Sequence, residues 1–153
     1  MYYVRTMIKL TPLMRELLDA ALADGVPALL GSVGPDGYPQ ISPKGSIAVF
    51  DDTTLSFWER SHRTTERNLK TDNKVVVYYR NAAKAKDMPF GGGAFRIYGT
   101  ATLVTDPAVR EKVWERTNDV EQSRDKEKTG MGVLIAVERV EELSGKVVMD
   151  KNS

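Results

Sequence analysis

Apolar side chains recur at helical spacing near the start of the chain. Leu13, Leu17, Ala20 and Ala21 repeat, and Met14, Leu18 and Leu22 widen the stripe. Thr11 suits an N-cap, Pro12 suits the first helical position and Gly25 suits a C-cap, so the pattern predicts a helix over 12–24 lying on a sheet. The period then changes. Residues 26–33 read as a buried strand, and Gly34-Pro35-Asp36-Gly37 is a hairpin turn. The returning strand starts near Tyr38 and carries Ile41, but Pro39 and Pro43 confine it to an edge or make it irregular. Residues 47–50 and 54–58 form a second hairpin around Asp51-Asp52-Thr53, followed by a helix over 64–70. Lys74 to Arg80, rich in Val and Tyr, is the clearest strand. Strand character resumes over 94–104. Asp106-Pro107 opens a helix to about Asp119, 121–130 is polar loop, and 133–137 is a strand that extends toward Leu143. The last residues, 149–153, read as frayed.

These hairpins, six or seven short strands with three helices, predict a mainly β fold: an antiparallel barrel with helical additions. Helix-linked parallel repeats are missing from the pattern, which argues against a doubly wound sheet. A chain of 153 residues fits one domain over 1–153, and 41% hydrophobic with 28% charged residues is an ordinary globular composition. A formal net charge of +1 leaves only local positive potential, so nucleic acid is not an expected partner. An oligonucleotide-binding barrel using Arg60, Arg63 and Arg67 is the weaker alternative. With no cysteine and one histidine, thiol catalysis, disulfides and an all-protein metal site fall away. Redox chemistry would then need an organic cofactor. No apolar run reaches the roughly 20 residues of a membrane span. Residues 1–6 lack a signal-peptide core, and a cytoplasmic location is the expectation.

Residues 57–69, Phe-Trp-Glu-Arg-Ser-His-Arg-Thr-Thr-Glu-Arg-Asn-Leu, carry the strongest chemical signal. A strand ends and a helix begins there, gathering Ser61, Thr64, Thr65, three arginines and His62. Free N–H groups and the positive end of a helix suit a phosphate, and the forked Arg63 guanidinium suits its oxygens. Phe57 and Trp58 just upstream offer rings to stack on a flat heterocycle. The same segment also fits a solvated helix start whose arginines pair with Glu59 and Glu66. In Ser42-Pro43-Lys44-Gly45-Ser46, a continuing strand would put Ser42, Lys44 and Ser46 on one side and small surfaces on the other. Taken alone that pentapeptide reads first as a kinked edge strand. Met88 to Gly93 reads first as a flexible connection, with a lid or a subunit contact as the alternative, and Trp114 as a packing anchor. A Ser-His-Asp hydrolase is a poor fit, because the lone histidine lies among cations.

Over residues 12–143 the chain resembles the FMN-binding split β-barrels related to pyridoxamine 5′-phosphate oxidase. The resemblance rests on the order of the leading helix, Val26 to Val33, Gly34 to Ser46, Leu55 to Thr64, Arg67-Asn68-Leu69 and Phe95 to Ala101. It implies an antiparallel split barrel that binds FMN. Pro43, Lys44, Gly45 and Ser46 would contact the isoalloxazine edge. Phe57, Trp58 and Glu59 would flank the cofactor, and Ser61, His62, Arg63 and Thr64 would grip the phosphate. It further implies a homodimer with two shared cofactors, residues 88–99 being the candidates for contact across the interface. The implied activity is an FMN-dependent oxidoreductase acting on an unidentified small molecule. Deazaflavin or haem in the same fold, or a flavin store or sensor without turnover, are the alternatives. The tryptophan, arginine and histidine with which pyridoxamine phosphate oxidases handle their substrate have no counterpart in residues 145–153, so vitamin B6 synthesis is not expected.

Overall fold

The computed structural model describes residues 6–153; residues 1–5, part of the stretch read as lacking a signal-peptide core, lie outside the described residues. Helix α1 (Pro12–Ala20) is capped by the Thr11 hydroxyl, which accepts from the Met14 N–H at 3.2 Å. It buries Met14, Leu17 and Leu18. The helix ends earlier than 24 because residues 21–25 form turns, and Gly25 takes a positive φ of 76° one turn past the cap. Strands β1 (Leu29–Val33) and β2 (Pro39–Pro43) form the first hairpin, and β3 (Ala48–Asp51) and β4 (Thr54–Glu59) the second. Helix α2 (Thr64–Thr71) leads into β5 (Lys74–Arg80), and β6 (Ala94–Leu103) pairs with it. Helices α3 (Pro107–Glu115) and α4 (Asp119–Ser123) precede β7 (Met131–Glu142) and β8 (Val147–Asp150).

All named strands pair antiparallel, in the order β2-β1-β5-β6-β7-β4-β3, with β8 on β7. This is the mainly β split barrel expected. One edge of β7 runs along β6; its other edge pairs with β4 over 131–136 and with β8 over 139–141. β2 lies at the sheet edge, as its prolines require. Inside, Leu30, Leu55, Phe57, Val77, Phe95, Ile97, Val133 and Ile135 meet α1 in one apolar cluster. β6 shifts register between Tyr98 and Gly99, and a Cβ on Gly99 would collide with the Ala136 carbonyl oxygen.

Further stretches differ from the sequence reading. The helix expected to run to about Asp119 ends at Glu115, and Asn118 caps a separate α4. Residues 82–93 form two 3-10 turns rather than a loose connection, because Met88 and Phe90 pack into the core and Phe90 meets Phe95 at 5.2 Å. The polar stretch 121–130 contains most of α4. Residues 147–150 pair with β7, and Met149 also bridges to Thr6, so most of the tail is held rather than frayed.

Alternation leaves one sheet face without a covering layer. β5 turns Val75, Val77 and Tyr79 inward and Val76 and Tyr78 outward. With Leu29, Gly31, Ile41, Arg96 and Tyr98 these outward residues line a shallow groove of about 340 Å³. Ile41 is 71% exposed there. Among the described residues, no helix is long and apolar enough to cross a membrane.

Candidate functional site

β2 ends at Pro43 and the chain turns instead of continuing as a strand. Lys44 N–H donates to the Ala28 carbonyl at 2.9 Å, and Ile47 N–H donates back to Lys44 at 3.3 Å. The face shared by Ser42, Lys44 and Ser46 in a straight strand therefore does not form. The turn meets the end of β4 around a cleft of about 260 Å³. It is lined by Pro43, Lys44, Gly45, Ser46, Trp58, Glu59, Arg60 and Ser61, with Leu22, Pro27, Glu121 and Arg124.

Glu59 ties the two walls together. One carboxylate oxygen accepts from Lys44 Nζ at 2.8 Å, and the other accepts from Ser61 N–H at 3.2 Å and Ser61 Oγ at 2.9 Å. Burial alone would raise its pKa; the Lys44 ammonium and the Ser61 donors outweigh burial and hold it below the ordinary glutamate value. The Ser46 hydroxyl accepts from Trp58 N–H at 2.9 Å and donates to the Trp58 carbonyl at 3.2 Å. It fastens the turn to β4 and has little left for a ligand.

Alternation along β4 decides the aromatics. Leu55 and Phe57 face the barrel core, and Phe57 is 0% exposed, so it cannot stack on a ligand ring. Trp58 faces the other way but is 3% exposed. Trp114 meets it edge-on at 4.9 Å, confirming the anchor expected at that position, and the Arg110 guanidinium covers it at 4.7 Å. Its indole N–H donates to Asp125 at 2.8 Å. Trp58 is thus a wall of the cleft, not a stacking platform.

His62, Arg63 and Thr64 follow on the surface beyond the cleft lining. His62 has a positive φ of 51°. Its Nε2 lies 2.6 Å from the Thr129 carbonyl and its Nδ1 3.4 Å from Glu66. The Thr129 carbonyl first, and Glu66 after it, raise its pKa above the ordinary histidine value. Arg63 is the N-cap residue of α2 and makes no side-chain cap bond. Its exposed guanidinium takes no partner among the described residues, whereas Arg60 reaches Glu121 at 3.5 Å and Glu66 pairs with His62 and Lys70. Among the described residues these arginines do not pair with Glu59 or Glu66, as the alternative reading of a solvated helix start would have them do. Asn68 is buried, donating to Ser32 Oγ at 3.0 Å and Gln40 at 2.7 Å, which pins α2 to the first hairpin.

Of the candidate residues, the fold brings Pro43, Lys44, Gly45, Ser46, Trp58, Glu59 and Ser61 to one cleft, sets His62, Arg63 and Thr64 just past it, and sends Phe57 to the core. Sequence reasoning missed Glu121 and Arg124. A signal existed: Asn118 followed three residues later by Glu121 is an N-cap spacing, and the Asn118 side chain does accept from Glu121 N–H at 2.9 Å.

No curated protein matches the chain. Solved structures share its fold. HupZ of Group A Streptococcus is 22% identical, with 90% of this chain and 97% of that one covered at a TM-score of 0.63. An FMN-binding protein from Syntrophomonas wolfei is 15% identical, with coverages of 84% and 87% and a TM-score of 0.58. An F420 reductase is 23% identical, with coverages of 82% and 94% and a TM-score of 0.57. The family model for pyridoxamine 5′-phosphate oxidase matches residues 14–144, nearly the whole barrel from α1 through β7. With that match, this chain belongs to the pyridoxamine 5′-phosphate oxidase family of split β-barrels.

Proposed function

We propose that the chain binds FMN non-covalently and acts as a flavin-dependent oxidoreductase on a small molecule other than pyridoxamine phosphate. The observation that carries this reading is the meeting of the 43–46 turn with the Glu59–Ser61 strand end around one cleft, with an unpaired arginine two residues further on. The residues fit such a ligand. Gly45 lies on the cleft wall beneath the Glu121 carboxylate, and Pro43, Pro27 and Leu22 give the cleft apolar surface. Arg63 offers a charged fork to a phosphate, beside the start of α2. FMN, when bound, supplies the hydride chemistry. The chain's residues orient it, and Lys44 with Glu59 hold the turn against β4 before it arrives. The S. wolfei FMN-binding protein and the F420 reductase, which share the fold, are consistent with a flavin or deazaflavin ligand. Haem fits less well, since both nitrogens of the sole imidazole are already engaged.

A cleft of about 260 Å³ falls short of the roughly 300–1,000 Å³ of an ordinary ligand pocket. A second copy docking through the uncovered face of β1, β2, β5 and β6 would complete it, so the proposed state is a homodimer. The test is to extract small molecules from purified protein, record its visible spectrum, and titrate the stripped protein with FMN and riboflavin. Arg63→Ala should weaken FMN by about 1.5–3 kcal/mol, the worth of one charged hydrogen bond, and leave riboflavin unchanged. Equal FMN affinity in wild type and variant would remove Arg63 from the site. A deazaflavin or haem spectrum would replace the cofactor.

A further inference from the structure

Two guanidinium groups, Arg60 just past β4 and Arg124 at the C-cap of α4, converge on one carboxylate of the cleft. Glu121, on α4, is 6% exposed. One of its oxygens takes Arg124 Nη1 at 2.7 Å, and the other lies 3.5 Å from Arg60 Nε. Neither guanidinium has another acceptor among the described residues, and both are half-exposed toward the cleft they line. The carboxylate lies close over the turn, where a Cβ on Gly45 would stand 2.6 Å from Glu121 Oε1.

We propose that Arg60 and Arg124 form a second binding site, for a carboxylate or phosphate group of a small-molecule ligand, and that Glu121 occupies it until that ligand arrives. Paired guanidinium groups aimed at one point are an arrangement that binds planar or tetrahedral oxyanions. The local charges agree. Lys44 and Glu59 neutralise each other, so Arg60, Arg124 and Glu121 leave one positive charge, and rotating Glu121 away leaves two. The rotation need not unfold α4, whose start is held independently by Asn118, donating to the Gly45 carbonyl at 2.7 Å. Leu22 and Pro27 on the same cleft would meet the apolar body of the ligand, which is therefore an organic acid or phosphate ester. The proposal rests on the cleft being the ligand site described above. Its oxyanion belongs either to the substrate or to the cofactor's own phosphate.

The experiment uses the full chain with inorganic phosphate, FMN and riboflavin as probes, read by calorimetry and flavin fluorescence. Glu121→Gln removes the competing charge, so phosphate should bind about tenfold tighter or more, the equivalent of one lost charge-assisted contact. Arg124→Gln, added to that variant, should abolish the gain. Arg124→Gln alone changes a half-exposed side chain and should weaken phosphate in the otherwise unaltered chain, which keeps the test decisive if Glu121→Gln is poorly folded. Tighter FMN with unchanged riboflavin in Glu121→Gln identifies the cofactor phosphate as the occupant. Unchanged FMN with tighter phosphate identifies the substrate. A folded Glu121→Gln that binds phosphate no better than wild type overturns the proposal, as does a gain that survives Arg124→Gln. Phosphate binding that responds as stated, in a chain that binds no flavin, sinks the cofactor reading and leaves the oxyanion site standing.

Discussion

Removing Asp125 should cost this fold far more than its size suggests. It is 8% exposed and accepts four hydrogen bonds: Trp58 Nε1 at 2.8 Å and Gly130 N–H at 2.9 Å on one oxygen, Thr129 N–H at 3.0 Å and Thr129 Oγ1 at 2.9 Å on the other. Burial works to raise its pKa; the Trp58, Gly130 and Thr129 donors outweigh burial and bring it from 3.8 to about 2. That depression corresponds to about 2 kcal/mol of stability. Because the folded value is the lower one, the stabilisation is present above pH ~4 and disappears as pH falls through ~2. Asp125→Ala also leaves the buried Trp58 and Gly130 N–H groups unpaired, for a total loss of about 3–5 kcal/mol at neutral pH. Asp125→Asn keeps an acceptor but turns an amide N–H toward donors, for a loss of about 2 kcal/mol. Urea unfolding followed by tryptophan fluorescence at neutral pH and again near pH ~2.5 measures both. Glu138, held near 2 by the Thr100 hydroxyl with help from Lys151 and Lys74, adds its own acid limb, but it does so in wild type and variant alike. The difference between the two chains therefore isolates Asp125 and should shrink in acid. A loss in Asp125→Asn below about 0.5 kcal/mol, or one that stays constant down to that acid pH, would mean that the four hydrogen bonds to Asp125 do not carry this stability.

Gly99→Ala places a methyl against the Ala136 carbonyl at the register shift of β6, where backbone has to move, and should destabilise the chain by about 1–3 kcal/mol in denaturant titrations. Ile41→Asp puts a charge on the uncovered face without touching the core. Sedimentation should show a dimeric wild type and a monomeric variant of unchanged circular dichroism, with weaker FMN binding in the variant. A monomeric wild type would remove the dimer from the proposal.

Legibility followed how local each signal was. The helix starts at Thr11-Pro12 and Asp106-Pro107 were readable because a cap and a first-turn proline act within one turn, and both side chains do cap. β5 and β6 were readable because β-branched and aromatic residues run along a full strand. Reading failed where distant packing decides. Gly91, Gly92 and Gly93 suggest looseness, yet Met88 and Phe90 fasten the segment to the core. The turn and strand around residue 57 show the same limit at the site. Two neighbouring aromatics on a strand must face opposite ways, but nothing local says which one faces the barrel. The pairing of β4 with β7 settles it against Phe57. The cleft residues 43–46 and 59–61 were legible as a resemblance of order and spacing. Glu121, on a five-residue helix inside a polar stretch, left only its capping pattern.

The distribution of charge in the cleft explains why Arg63 matters more than the nearer Lys44. A cation already paired at 2.8 Å with a buried carboxylate has little favourable energy to gain from a phosphate, because the phosphate would have to displace Glu59 and leave that carboxylate unpaired. Lys44 and Glu59 therefore act on geometry: they fix the turn and the strand end at the spacing a flat ligand needs, which lowers the ordering cost of binding. Arg60 and Arg124 are engaged by Glu121 and become available only if that carboxylate moves. Arg63 has no competing partner among the described residues and stands at the start of α2, where the helix dipole adds to its field. Leu22 and Pro27 are uncharged, Arg60, Arg124 and Glu121 leave one positive charge, and Arg63 adds another at the α2 start, a gradient that would orient a molecule with a flat head and an anionic tail. Reversing that gradient with Arg63→Glu should abolish FMN binding while riboflavin, which lacks the tail, still binds; loss of both ligands in a folded variant would mean that the α2 start shapes the cleft rather than holding the phosphate.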